Sequence, residues 1–148
     1  MKLTDKYGKI FKYEDFSTDK YKYRVTKKYD VKLQFKPNTE VVCDFYCFYL
    51  DGILVINKGY QWDGASGPTI DTQNTIIASC IHDVLYQMIR CKQLPLSFKK
   101  QADKELKFWM IENSEKKNLW NKIRAYYFYF AVKLFAGSSC IPGSQQCQ

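Results

Sequence analysis

Apolar and polar side chains take turns along much of the first sixty residues. Tyr21, Tyr23 and Val25 alternate with Lys22 and Arg24, and Tyr29, Val31, Leu33 and Phe35 alternate with Asp30, Lys32 and Gln34. A period of two sets one face of a strand on a core and the other in water, so both runs predict half-buried strands. The Lys27-Lys28 pair breaks the phase and places a bulge or turn there. Pro37-Asn38 ends the second run. From Glu40 to Leu50 the stretch "EVVCDFYCFYL" is apolar at nearly every position, and Asp51-Gly52 is a tight-turn dipeptide leading into the return strand "ILVIN". Together these segments predict an antiparallel sheet of about four strands over residues 1–58.

The pattern changes at Gly59. Gly59, Gly64, Gly67 and Pro68 exclude a regular element and mark a shaped, Gly-rich loop over 59–70. Beyond it the period is helical. Asp71 or Thr72 can cap a helix running to about Cys91, with Ile76 or Ile77, Cys80 or Ile81, Val84 or Leu85, and Met88 as its apolar stripe. Ser97 can cap a second helix to about Asn113, with Phe98, Ala102, Leu106 and Trp109 on one face. A third starts near Asn118 and stops at Gly137. Strands followed by three helices make an α+β fold. The expected organisation is a single domain over 1–137, its helical part 71–137, with a polar tail over 138–148. The aromatic run "AYYFYFAV" in the third helix is too short to span a bilayer and is flanked by Lys122, Arg124 and Lys133. It is expected to pack across sheet and helices, with an interfacial or oligomer-forming role as the alternative.

Composition sharpens this picture in two ways. Aromatic residues make up 17% of the chain, with 12 Tyr, which favours a surface that touches a partner. Residues 1–36 hold eleven Lys/Arg against five Asp/Glu, and so carry +6 of the net +8. Lys22, Arg24, Lys27 and Lys28, interleaved with tyrosines, could meet phosphates and stack on bases, or lie at an anionic membrane surface; the plainer reading is one solvated, basic strand face. The start "MKLTDKYGKI" lacks the apolar core of a signal peptide, so a reducing compartment and free thiols are expected. Cys43 and Cys47 fall in an apolar run without a second pair at zinc-finger spacing, and read as core or sheet residues. Cys140 and Cys147 lie in the polar tail.

Candidate chemistry centres on His82, the only histidine. Neighbours on a helix point about 100° apart, so His82 and Asp83 serve adjacent tasks and do not bond each other. Tyr86, four residues on, shares the histidine's face. Asp103 sits beside the apolar face of the second helix, where a carboxylate needs a partner; His82 is the economical one. Asp103 would accept the proton of one ring nitrogen and leave the other to act as a base. Alternatively the same residues form a buried polar network that specifies the fold and catalyses nothing. Ser66 in "GASGP" lacks the spacer of a nucleophile elbow. A site drawn from Asp63, His82, Asp83 and Asp103 is rich in oxygen and suits calcium or magnesium better than a transition metal.

The Gly-rich loop, His-Asp-x-x-Tyr and lone distant aspartate resemble secretory phospholipases of the A-two class. That resemblance implies His82 as the base, Asp83 as a calcium ligand, and Tyr86 and Asp103 as supports, with carbonyls of residues 62–67 completing the metal site. The disulfide framework and loop sequence of those enzymes are missing. A resemblance that covers more of the chain rests on "NKGYQWDGASGPTID", "ASCIHDVLYQ", "KQADKELKFW" and "KIRAYYFYFAVKLFAG". These are similar to a family of short bacteriophage and prophage proteins called domain of unknown function 1353, on Gly59, Tyr60, Asp63, Ala65, Ser66, Pro68, His82, Asp83, Tyr86, Ala102 and Asp103. Trp62, Gly64 and Gly67 depart from it. The resemblance implies a phage origin, in a virion or the host cytoplasm, and transfers no activity.

Three functions therefore stand as expectations. The first is a phage accessory or virion-associated protein that binds a phage or host protein through an aromatic, basic surface. The second is a calcium-dependent, phospholipase-like esterase acting on membrane lipid, with His82, Asp103 and Tyr86 catalytic, Asp83 and Asp63 on the metal, and Gly64, Ser66 and Gly67 forming a loop for an oxyanion. The third is nucleic-acid binding by the basic front.

Overall fold

A computed structural model describes residues 1–65, 72–114 and 119–135. The architecture is α+β: antiparallel sheets come first and three helices follow. The chain's internal contacts divide it after Thr72 into two compact units, a sheet unit and a helical unit.

The sheet unit holds eight strands, β1 (Lys2–Thr4), β2 (Ile10–Asp15), β3 (Tyr23–Val25), β4 (Tyr29–Lys32), β5 (Val41–Val42), β6 (Tyr46–Phe48), β7 (Ile53–Ile56) and β8 (Gln61–Trp62). They form two four-stranded sheets, ordered β1-β2-β3-β8 and β4-β7-β6-β5. The alternation of Tyr29–Lys32 is realised as a strict buried-exposed pattern. The phase break at Lys27-Lys28 falls where the chain leaves one sheet for the other, since β3 pairs with β2 and β8 while β4 pairs with β7. The apolar run at 40–50 is divided by a turn in which Cys43 N–H donates to Tyr46 O at 3.0 Å, giving β5 and β6. Asp51-Gly52 makes the expected hairpin turn, with Phe48 opposite Leu54. Gly52 has a φ of +87°, and a Cβ there would lie 3.1 Å from Phe35 O, so the turn needs glycine both for conformation and for space.

Aromatic rings fill the core of this unit. Trp62 on β8, 1% exposed, lies 5.9 Å from Phe11 and 5.3 Å from Tyr23, ring centre to ring centre. Phe11 also meets Tyr29 edge-on at 5.0 Å, which joins the first sheet to the second. A buried carboxylate adds a polar tie: Asp5, in the β1–β2 turn, accepts hydrogen bonds from Tyr7 N and Lys9 N at 2.8 and 2.9 Å and from the Tyr29 hydroxyl at 2.5 Å. Tyr29→Phe leaves one oxygen of a buried carboxylate short of its donor. The expected loss is about 1–3 kcal/mol of unfolding free energy in urea titration; a change under a few tenths would mean that the hydroxyl bond contributes nothing net.

The helical unit comprises α1 (Gln73–Arg90), α2 (Lys99–Glu112) and α3 (Leu119–Phe135). α1 packs on α2, and α2 on α3. α1 buries its expected stripe and also Ala78, Tyr86 and Ile89. It ends in a turn with Lys92 in the left-handed region, where Gln93 N–H returns to Met88 O at 2.8 Å. α2 is entered through a 3-10 turn over Leu96–Phe98, so Ser97 lies inside that turn and does not cap the helix. Phe98 is only half-buried; Ala102, Leu106 and Trp109 form the buried face, joined by Asp103, Glu105 and Met110.

Cys43, Cys47 and Cys80 carry free thiols, but Cys91 is disulfide-bonded, which corrects the expectation of free thiols throughout. Asp71, Gly137 and the tail with Cys140 and Cys147 lie outside the described residues.

Candidate functional site

Two adjacent helices build the polar cluster. α1 carries His82, Asp83 and Tyr86; α2 carries Lys99 and Asp103. His82 and Tyr86 are one turn apart on α1, and their rings lie 4.0 Å apart, centre to centre. Both face Asp103. His82 Nε2 is 3.0 Å from Asp103 Oδ1, the Tyr86 hydroxyl donates to the same oxygen at 2.6 Å, and Lys99 Nζ donates to Oδ2 at 2.7 Å. An ionised carboxylate only accepts, so Nε2 must carry the proton of the histidine contact. His82 Nδ1 faces Asp83 Oδ1 at 3.9 Å, too far for a hydrogen bond but close enough for charge attraction.

The electrostatics follow from that arrangement. Burial opposes a charge on His82, which is 5% exposed, but the bond to Asp103 and the attraction of Asp83 outweigh it and raise the histidine above its ordinary 6.5. Burial likewise works against ionising Asp103, yet the donors His82, Lys99 and Tyr86 prevail and hold its carboxyl below the usual range. Asp103 thus takes three donors, and Asp83 stands beside the other ring nitrogen. Nearby, the Cys80 thiol is pushed well up by burial and then by the charge of Asp83, and is therefore an inert core group.

The structure thus brings His82, Tyr86 and Asp103 together, with Asp83 on the second ring nitrogen. Lys99, not singled out from the sequence, belongs to the same cluster. Its signal was there to read: Lys99 stands four residues before Asp103, the spacing of a helical ion pair.

The expected metal and loop residues come from both units. Asp63 is exposed and follows β8 in the sheet unit, whereas Asp83 belongs to the helical unit. Gly64 has a φ of +82°, a conformation glycine takes freely, so its place in the motif has a backbone cause. Ser66 and Gly67 lie outside the described residues. Among the described residues no group of three or more His, Cys, Asp or Glu is arranged to hold a metal ion.

The basic front is not a uniform row of unengaged cations. Arg24 Nε donates to Glu14 on the neighbouring strand at 2.6 Å, and its guanidinium stacks 4.0 Å from the Phe16 ring centre. Lys22 lies over Tyr23, and Lys27 and Lys28 are exposed between β3 and β4.

A second candidate surface is on α3. Ala125 and Phe128 are buried, and Lys107 of α2 covers Tyr126 and Tyr129 at 4.6 and 4.7 Å. From that edge around the outer side, Leu119, Trp120, Ile123, Tyr126, Tyr127 and Phe130 are exposed, from 48% at Tyr126 to 74% at Leu119. The run expected to pack across sheet and helices therefore has a large part in the open. Among the described residues no helix is long and apolar enough to cross a membrane.

No family model matches the chain, and neither a curated protein nor a solved structure shows significant similarity to it.

Proposed function

We propose that the chain works by binding rather than by catalysis, in a bacteriophage-encoded accessory or virion-associated role, with the aromatic, basic face of α3 as its working surface. The observation that carries this reading is the row of exposed apolar side chains on α3. A monomer rarely leaves so much contiguous apolar surface in water unless something covers it in use. The phage setting rests on the motifs that run from Gly59 to Asp103.

The His82 cluster supports binding over hydrolysis. A general base has to be neutral and must reach a substrate proton. Here the imidazole is buried, its Nε2 is committed to Asp103, and its Nδ1 looks onto a second carboxylate. Burial works against a charge on the ring, yet Asp103 and Asp83 raise its pKa, as expected of an imidazole held inside a polar cluster. The cluster is better suited to joining α1 to α2 than to turning over an ester.

Two measurements test the reading. Purified full-length protein with calcium is expected to hydrolyse neither phospholipid nor a soluble short-chain ester above the buffer blank. Turnover that disappears in both His82→Gln and Asp83→Asn would overturn it. Tagged protein is expected to co-purify with virions or with a defined phage or host component, and the double variant Ile123→Glu/Tyr127→Glu is expected to lose that association; retention by the variant would remove α3 from the role.

A further inference from the structure

We infer that the partner of the α3 face is an anionic lipid surface, on which the helix lies in the plane of the headgroups. The inference rests on the reading of α3 as the working surface and adds the chemistry of what covers it.

At about 100° per residue, the exposed apolar side chains Leu119, Trp120, Ile123, Tyr126, Tyr127 and Phe130 fall within one sector about 120° wide. The cations of the helix stand just outside that sector. Lys122 and Lys133 lie within about 40° of one edge, and Arg124 lies a similar distance beyond the other. On the remaining side Ala125 and Phe128 are buried. An ordinary surface helix turns its apolar stripe inward and its charges out. α3 has an apolar side in the protein and a second, aromatic one in water, bordered by long cationic side chains.

That order of groups matches the layers of a membrane interface. Apolar and aromatic side chains enter the boundary between headgroups and acyl chains, while lysine and arginine extend to the phosphates on either side. Trp and Tyr are the residues that favour this depth. Charge selects the lipid: α3 contains no Asp or Glu, and none occurs anywhere after Glu115. A second copy of this chain would bring two such cationic borders together. An acidic membrane surface complements both the apolar sector and its borders.

The chain carries its own reporter. Of its three tryptophans, Trp62 and Trp109 are buried at 1% and 0% exposure, and Trp120 is 70% exposed. Full-length protein is mixed with vesicles of phosphatidylcholine alone, or of phosphatidylcholine with about one third phosphatidylserine, and followed by flotation and by tryptophan emission. The expected result is flotation with the anionic vesicles and a blue shift from Trp120, with binding to neutral vesicles weaker by about tenfold or more. Raising salt is expected to weaken binding. Lys122→Gln/Lys133→Gln is expected to weaken it about tenfold, and Ile123→Glu/Tyr127→Glu to abolish it. All four positions are exposed, and an unchanged far-ultraviolet circular dichroism spectrum checks that the fold is retained.

Three outcomes overturn the inference: no flotation and no shift with anionic vesicles, equal binding to neutral ones, or a Trp120 environment already apolar without lipid because a second copy or the chain's own tail covers it. If vesicles fail while Ile123→Glu/Tyr127→Glu still loses association with virions or a component, the lipid assignment falls and the α3 surface stands. If the variant keeps that association, the surface itself falls.

Discussion

Asp103→Ala lowers the unfolding free energy by about 3–5 kcal/mol, the cost expected when one member of a buried charged cluster is removed and its partners stay behind. Three donors lose their acceptor at once: His82 Nε2, the Tyr86 hydroxyl and Lys99 Nζ. The loss depends on pH. His82 is raised, so its contribution is fully present below its unfolded value of 6.5 and fades as pH climbs through the folded value. Asp103 is lowered, so its contribution is present above its unfolded value of 3.8 and fades as pH falls through the folded one. Both are present between about pH 4.5 and 6, where the variant's deficit should be greatest. Above the folded histidine value the deficit shrinks towards the share held by Lys99 and Tyr86. Urea titrations at acid and alkaline pH measure it. The single histidine gives an independent check: its ring-proton resonance needs no assignment, titrates above 6.5 in the parent protein, and moves to lower pH in Asp103→Asn. A deficit below about 1 kcal/mol, the same at both pH values, would show that the cluster is not the buried charged network described above.

Trp62→Ala costs about 3–5 kcal/mol, for a different reason. The indole is buried among Phe11, Tyr13 and Tyr23, and its strand closes the first sheet through the pairs Tyr23 with Trp62 and Arg24 with Gln61. Alanine removes the largest side chain of that cluster, and the rings around it can collapse only partly into the space. Trp62→Phe keeps part of the volume and is expected to recover more than half of the loss. Both follow from urea unfolding, with near-ultraviolet circular dichroism reporting the aromatic packing. If alanine cost no more than a surface substitution, Trp62 would not be the centre of the sheet unit.

Much of this architecture was legible in the chain. The α+β order follows from a change of period at Gly59; α1 and α2 begin and end within a few residues of where apolar spacing put them, and the described part of α3 falls inside its expected span. The Asp51-Gly52 hairpin follows from a dipeptide that suits a left-handed φ. What escaped has particular causes. Strands β1 and β2 lie in a lysine-rich stretch where Ile10 and Lys12 point outward and only Phe11 and Tyr13 inward, a short signal that reads first as charge. A break in alternation such as Lys27-Lys28 says that the strand stops, but not that the next strand joins another sheet; that depends on pairing partners distant in sequence.

The candidate site was legible to a similar depth. His82, Tyr86 and Asp103 could be grouped because helical spacing and the cost of a buried carboxylate both act locally. The chemistry could not be settled that way, because it depends on what faces the second ring nitrogen, a matter of three dimensions. Trp62 shows the opposite case. The resemblance to the phospholipases drew attention to its backbone carbonyl, while its strand pairing with β3 and its ring's place in a core were not read from the sequence.

The place of β8 also bears on how the molecule comes into being. β3 finds its last partner only after the chain has passed through β4, β5, β6 and β7, all of which belong to the other sheet. One sheet is thus threaded inside the sequence of the other. As the polypeptide leaves the ribosome, β5, β6 and β7 can pair through neighbouring hairpins and β7 can then take up β4, while β3 waits with an open edge. The first sheet gains its last strand only when Gln61 and Trp62 arrive, so its completion rests on a pairing distant in sequence, the kind of contact that slows folding.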